Sequence, residues 1–143
     1  MPFDGNKWNL NKMVSLDDIL EKITSQYSES EVQRLHDSPN DTSKNYKIKG
    51  YKGSFAIISS VTNPFCDSCN RIRLTANGQL KNCLFSATES DLLGTLRNGG
   101  MIEPIVQKAI QGKFQVRGGM DTLEKLKQPK LHSKNRNMTT IGG

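Results

Sequence analysis

Apolar side chains recur at Leu16, Ile19, Leu20 and Ile23, the spacing of a single helix face. Ser15 stands ahead of them as an N-cap, and Asp17 and Asp18 bring negative charge to the first turn. The pattern predicts a helix from there to about Tyr27, preceded by a loop over Met1 to Asn11 that carries one Trp. No period survives between Ser28 and Asn45, where Ser38-Pro39-Asn40-Asp41 breaks the chain, so that stretch reads mostly as loop. Tyr46 and Ile48 alternate with lysines and predict a short edge strand. After a turn at Gly50 to Gly53, Ser54 to Ser60 reads as a more buried strand, ended by Asn63-Pro64.

Arg71 to Leu84 predicts a β-hairpin around Asn77-Gly78, and two registers compete. A two-residue turn would pair Ala76 with Gln79 and mix Ile72 and Leu74 with Gln79, Lys81 and Cys83 on one face. A three-residue loop with Gly78 left-handed pairs Thr75 with Gln79 instead. It gathers Ile72, Leu74, Leu80 and Leu84 on one face, and Arg71, Arg73, Lys81 and Cys83 on the other. Because a one-residue slip reverses every side chain, the apolar pattern selects the three-residue loop. Leu92, Leu93 and Leu96 mark a following helix ended by Gly99-Gly100. Ile102, Ile105, Val106, Ala109 and Ile110 mark another, with Pro104 in its first turn and Gly112 as C′ residue. From Lys113 onward no period is visible, and Lys127 to Asn137 is basic and polar.

Composition narrows this picture. Only 34 % of the 143 residues are apolar, which supports a modest core among long polar loops. The formal charge of +6 favours anionic partners, though a merely solvated surface needs nothing more. Three cysteines, an odd number, argue against a disulfide framework and for metal or redox chemistry in a reducing compartment. No apolar run reaches membrane-spanning length, and Met1-Pro2-Phe3-Asp4 does not read as a signal peptide.

Candidate chemistry lies in Cys66-Asp67-Ser68-Cys69 and in Cys83, across the hairpin. Two thiolates of a C-x-x-C knuckle can converge on one centre, and a paired strand can bring a third. On spacing alone three readings stay open: an iron–sulfur cluster with one iron left without a protein ligand, a zinc site, and three ordinary thiols. Zinc would need a fourth ligand, and only His36 or His132 could supply one, neither at finger-like spacing. Arg71 and Arg73 directly follow the knuckle, where guanidinium forks suit a phosphate group and offset thiolate charge.

The run Phe65-Cys66-x-x-Cys69-Asn-Arg-Ile-Arg-Leu-Thr-Ala-Asn-Gly-x-Leu-Lys-x-Cys83-Leu-Phe resembles the C-terminal cluster motif of the GTP 3′,8-cyclase family. These are the molybdenum-cofactor biosynthesis protein A group of radical S-adenosylmethionine enzymes. Met1 to Trp8 resembles the segment where the family's barrel ends, and Ile141-Gly142-Gly143 its terminus, so the likeness runs the length of the chain. The resemblance implies an α+β fold: the C-terminal region of a radical-SAM partial barrel, with a short antiparallel β-hairpin sheet, two to three flanking helices and long polar loops. Residues 1–11 would end the barrel, 12–126 form the cluster-binding region, and 127–143 a basic tail.

In that family, S-adenosylmethionine is cleaved at a first [4Fe-4S] cluster, and the resulting radical takes hydrogen from C3′ of GTP, whose ribose carbon then bonds to guanine C8. The resemblance implies a second [4Fe-4S] cluster on Cys66, Cys69 and Cys83 that holds the purine through its open iron. It implies GTP contacts from Arg71, Ile72 and Arg73, an S-adenosylmethionine contact from Met1, and a catalytic tail in Gly142 and Gly143. It also implies homodimers in the full-length enzymes, a downstream cyclic pyranopterin monophosphate synthase, and neither membrane nor nucleic-acid partners. The compartment would be the mitochondrial matrix in a eukaryote and the cytoplasm in a bacterium.

The family's C-x-x-x-C-x-x-C motif and most of its barrel are absent from these residues, so the resemblance is to a C-terminal portion, not expected to catalyse alone. Arg117-Gly118-Gly119-Met120 lacks the family's usual histidine, Asn135 to Thr140 lacks a common proline, and Asn82 replaces an apolar residue. Without the barrel, the faces Ile19/Ile23 and Ile102/Ile105/Val106 are expected to be exposed and stability marginal. The competing reading is a non-enzymatic zinc-binding basic module contacting nucleic acid, which the 6 % aromatic content supports poorly.

Overall fold

The computed structural model describes residues 7–132 and 134–141, with side chains of Pro129, His132 and Met138 left aside. Met1, Gly142 and Gly143, singled out above, lie outside the described residues. The protein divides into two compact units, residues 12–69 and residues 1–11 with 70–143. Two three-stranded antiparallel sheets and several helices make it α+β, as expected. Among the described residues no helix is long and apolar enough to cross a membrane.

In the unit of residues 12–69, helix α1 spans Leu16–Thr24. Its start follows from local chemistry: the Asp18 N–H donates to Ser15 Oγ (3.0 Å), and the Ser15 N–H donates back to Asp18 Oδ2 (2.9 Å). This reciprocal box satisfies amide groups that a helix start otherwise leaves open. The sheet has the order β1 (Val32–Arg34), β2 (Lys44–Ile48), β3 (Ser54–Ile57). Strand β1 arises where a loop was expected. It carries little apolar pattern of its own and exists through its pairing with β2, Val32 opposite Ile48 and Arg34 opposite Tyr46. That pairing makes β2 the central strand, not the edge, and leaves β3 at the edge with Ile58 exposed just beyond it.

Tyr46 is buried because three side chains stack through it. Its ring lies 5.5 Å from that of Phe55 in near-parallel stacking, and the Arg34 guanidinium sits 5.0 Å from its centroid. Asp37 fixes the arginine: it pairs with both Nη atoms of Arg34 and accepts from the Asn45 side-chain amide (2.8 Å) and backbone N–H (3.1 Å). These bonds, Arg34 foremost, hold the Asp37 carboxyl well below the usual carboxylate range. A depressed carboxyl contributes stability that is present above its unfolded pKa and lost as pH falls. Stability of this unit is therefore expected to decline below about pH 4. Urea midpoints measured across pH should show that decline shrink in Asp37→Asn; an identical pH dependence in the variant would refute the assignment.

In the other unit, β4 (Arg73–Leu74), β5 (Gln79–Lys81) and β6 (Ser90–Asp91) form the second sheet in that order. The hairpin adopts the three-residue register. Leu74 opposes Leu80, the Thr75 N–H donates to Gln79 O (2.9 Å), and Gly78 is left-handed at φ +74°. Asp91 caps helix α2 (Leu92–Arg97) by accepting from the Gly94 N–H (2.9 Å), and left-handed Gly99 follows its end. Helix α3 spans Glu103–Gln111, with proline in its first turn and Gly112 as C-cap.

Two expectations fail, one in this unit and one in both. The hairpin's apolar face is only partly inward: Leu80 is buried, but Ile72 and Leu74 on the edge side are exposed, while Lys81 on the supposedly polar face is fully enclosed. Conversely, Ile19, Ile23, Ile102, Ile105 and Val106 are half-buried where exposure was expected. The described residues beyond Lys113 also carry regular structure: α4 (Leu123–Leu126), α5 (Pro129–His132) and α6 (Met138–Ile141) follow one another, and Leu126 and Ile141 are buried core residues, as are Leu80, Phe85 and Met120. A tail with no internal period folds because its few apolar residues are placed on a preformed surface.

Candidate functional site

Cys66 and Cys69 lie in the unit of residues 12–69, Cys83 in the other. None is in a disulfide and each is half-buried. The first two form a tight turn, in which the Cys69 N–H donates to Cys66 O (3.1 Å). Such a knuckle presents two sulfurs from one short loop. Among the described residues, no group of three or more His, Cys, Asp or Glu side chains is gathered in a way that could hold a metal ion. His36 is exposed.

Cys83 follows β5 in a second turn, closed by the Ser86 N–H donating to Cys83 O (3.1 Å). Two further carbonyls of this turn are held by buried polar groups. Lys81 Nζ donates to Ser86 O (2.5 Å) and to Asn135 Oδ1 (2.9 Å), and lies 3.6 Å from Glu89 Oε1. Asn135 Nδ2 donates in turn to Leu84 O (3.1 Å). Arg136 grips Glu89 through two parallel bonds of 2.6 Å. Burial pushes the Lys81 ammonium pKa down, and Glu89 opposes that shift. The Arg136 bonds hold the Glu89 carboxyl below its ordinary range. One residue before the cysteine, Asn82 Nδ2 donates to Ala109 O (3.0 Å), satisfying a carbonyl in the last turn of α3 that has no helical partner.

Both arginines are half-buried in the same unit as Cys83. The Arg71 carbonyl accepts from Lys113 Nζ (3.0 Å). Arg73 opposes Lys81 directly, which sets two cations side by side on one face of the hairpin. Lys81 spends its charge on Glu89, Asn135 and Ser86. The Arg73 side chain makes no hydrogen bond or ion pair among the described residues. Ile72 between them is exposed.

Lys81, Asn82, Glu89, Asn135 and Arg136 were not anticipated as site residues. Polar residues in polar segments read as solvated, and nothing local signals that residues 54 positions apart will meet.

The fold is a small α+β one with two short antiparallel sheets, a C-x-x-C turn in one unit, and a third cysteine in the other unit together with two arginines. Comparison narrows the class to a family. The Molybdenum Cofactor Synthesis C family matches residues 1–118, and the chain belongs to it. It is 37 % identical over its whole length to the mitochondrial GTP 3′,8-cyclase of Arabidopsis thaliana, covering 35 % of that protein. It is 38 % identical to human molybdenum cofactor biosynthesis protein 1 over 89 % of the chain and 20 % of the relative. To the GTP 3′,8-cyclase of Peptoclostridium acidaminophilum it is 37 % identical over 74 % of the chain and 31 % of the relative. The chain thus spans between a fifth and about a third of the length of these relatives.

Proposed function

We propose that this chain is the GTP-holding, cluster-bearing C-terminal portion of a GTP 3′,8-cyclase, which makes 3′,8-cyclo-GTP in the first step of molybdenum cofactor biosynthesis. The observation that carries the reading is the interleaving of three thiols with Arg71 and Arg73, in a family whose relatives are named for that activity.

By type and number, the three cysteines suit a [4Fe-4S] cluster. Three sulfur ligands, without a fourth thiol anywhere in the sequence, suit a cube with one iron left for a nonprotein ligand. When bound, that cluster supplies a Lewis-acidic iron able to take a purine. Cys66, Cys69 and Cys83 would hold it. Arg73, half-buried and without a hydrogen bond or ion pair among the described residues, is suited to a triphosphate oxygen, with Arg71 and Ile72 completing the contact. The same cations offset the negative charge of thiolate ligation. Met1 would line the S-adenosylmethionine site, and Gly142 and Gly143 would enter the active site.

These residues match about a third or less of the length of these relatives; S-adenosylmethionine and the other [4Fe-4S] cluster would be held by the rest of the enzyme, so these residues would bind without catalysing alone. The full-length enzyme would be a homodimer supplying cyclic pyranopterin monophosphate synthase. The name of the Arabidopsis relative supports a mitochondrial location for a eukaryotic chain.

Anaerobic reconstitution tests the proposal. Iron and sulfide should be incorporated in equal amounts, with an EPR signal that shifts when GTP is added. Stoichiometric zinc with no chromophore would overturn it.

A further inference from the structure

We propose that Lys81 and Asn135 form a positioning lock through which the docked C-terminal segment sets the geometry of Cys83. The inference deepens the reading above and rests on it for the role of Cys83.

The observations are specific to the turn that carries the thiol. The carbonyls of Cys83, Leu84 and Ser86 each accept a hydrogen bond. Ser86 N–H satisfies Cys83 O within the turn; Asn135 Nδ2 takes Leu84 O; Lys81 Nζ takes Ser86 O. Two of the three are thus held from outside. Both outside donors are buried, Lys81 with no exposed surface and Asn135 with 1 %, and they bond to each other. Asn135 cannot be rotated to exchange its amide atoms, because Oδ1 must accept from an ammonium and Nδ2 must donate to a carbonyl. The pair therefore has one arrangement.

The lock is backed on both sides. Glu89 sits against the lysine, and Arg136, the residue after Asn135, holds Glu89 through a bidentate pair. Ile141, only 1 % exposed, seats the far end of the segment in the core. Residues 134–141 cannot leave the surface without stripping a buried ammonium of Asn135 and the Leu84 carbonyl of its donor. Such loss is costly in a low-dielectric interior, so docking of the segment and the shape of the Cys83 turn open and close together.

The test uses the full chain, metal-free and reduced under anaerobic conditions. Each thiol is followed by mass spectrometry during pulsed alkylation with iodoacetamide. Asn135→Ala should speed modification of Cys83 about ten-fold while leaving Cys66 and Cys69 unchanged. Asn135→Asp, which keeps an acceptor for Lys81 but loses the donor to Leu84, should fall between. Lys81→Met combined with Asn135→Leu should raise the Cys83 rate no further than either change alone, since both act on one lock. After reconstitution, Asn135→Ala should alter the EPR line shape of the cluster, and Asn137→Ala should not.

Equal acceleration at all three thiols would show general unfolding and overturn the lock, as would no change at Cys83. Should no cluster form on the unmodified chain while the thiol pattern holds, the cluster reading fails and the lock stands. A cluster that forms on a chain whose Cys83 ignores Asn135→Ala sinks the lock alone.

Discussion

Gly118→Ala is expected to destabilise the protein by about 2–5 kcal/mol, read as a lowered urea midpoint. Two effects add. Gly118 sits at φ +62°, a left-handed conformation that costs a residue with a Cβ about 1–2 kcal/mol. A Cβ there would also lie 2.7 Å from Ser86 N and 2.9 Å from the Phe85 carbonyl carbon and Ser86 Cα. All three are backbone atoms, so no side chain can swing aside, and relief requires a backbone shift of about 1–3 kcal/mol. The chain that must move is the turn after Cys83. Gly119 is the internal comparison: its φ is +94°, but a Cβ would meet only the Phe114 ring at 3.5–3.6 Å. Gly119→Ala should therefore show the backbone penalty without the clash. Equal losses at the two glycines would mean that close packing on the Cys83 turn is not what position 118 requires.

The same contrast explains what could be read without coordinates. The α1 N-cap at Ser15, the ends of α2 and α3 and the hairpin register were legible because each depends on residues within a few positions of one another. Strand β1 was not, since Val32 to Arg34 owes its extended state to a partner strand, and that partnership also exchanged the edge and central roles of β2 and β3. The segment after Lys113 was illegible for a related reason. Leu126 and Ile141 have no periodic companions, and their burial depends on a surface built by distant residues.

Within the candidate site, the cysteines and arginines and their spacing were visible in the motif, whereas the bracing of Cys83 was not. Lysine and asparagine are read by default as surface residues, and only an enclosed partner of matching polarity reverses that default. Lys81 is the clearest example: alternation places it on the arginine face, correctly, but its burial follows from Asn135 and Glu89, which come later in the chain. The departures noted at Asn82 and Asn135 become intelligible in the same way. Each is a buried amide that closes a backbone carbonyl near the third thiol, and at Asn82 the exchange of an apolar residue for a polar one trades packing for a hydrogen bond.

Arg73→Ala is expected to weaken GTP binding to the reconstituted chain by about 10- to 150-fold, the range for losing a charged hydrogen bond. Its neighbour explains why the loss should be large. Arg73 and Lys81 are directly opposed, and like charges so placed repel. The lysine's charge is absorbed by Glu89 and Asn135, whereas the guanidinium makes no bond among the described residues. An anion at that position relieves the repulsion and gains a two-pronged contact, so the free protein is electrostatically biased toward the bound state. Arg73→Lys should recover part of the affinity, because an ammonium restores charge but not the fork. Raising ionic strength should weaken wild-type binding more than binding to Arg73→Ala, since a cation has been removed from the site. Calorimetric titration of the three proteins at two salt concentrations decides the matter. Affinity and salt dependence unchanged in Arg73→Ala would remove this residue from the nucleotide site, whatever the fate of the cluster.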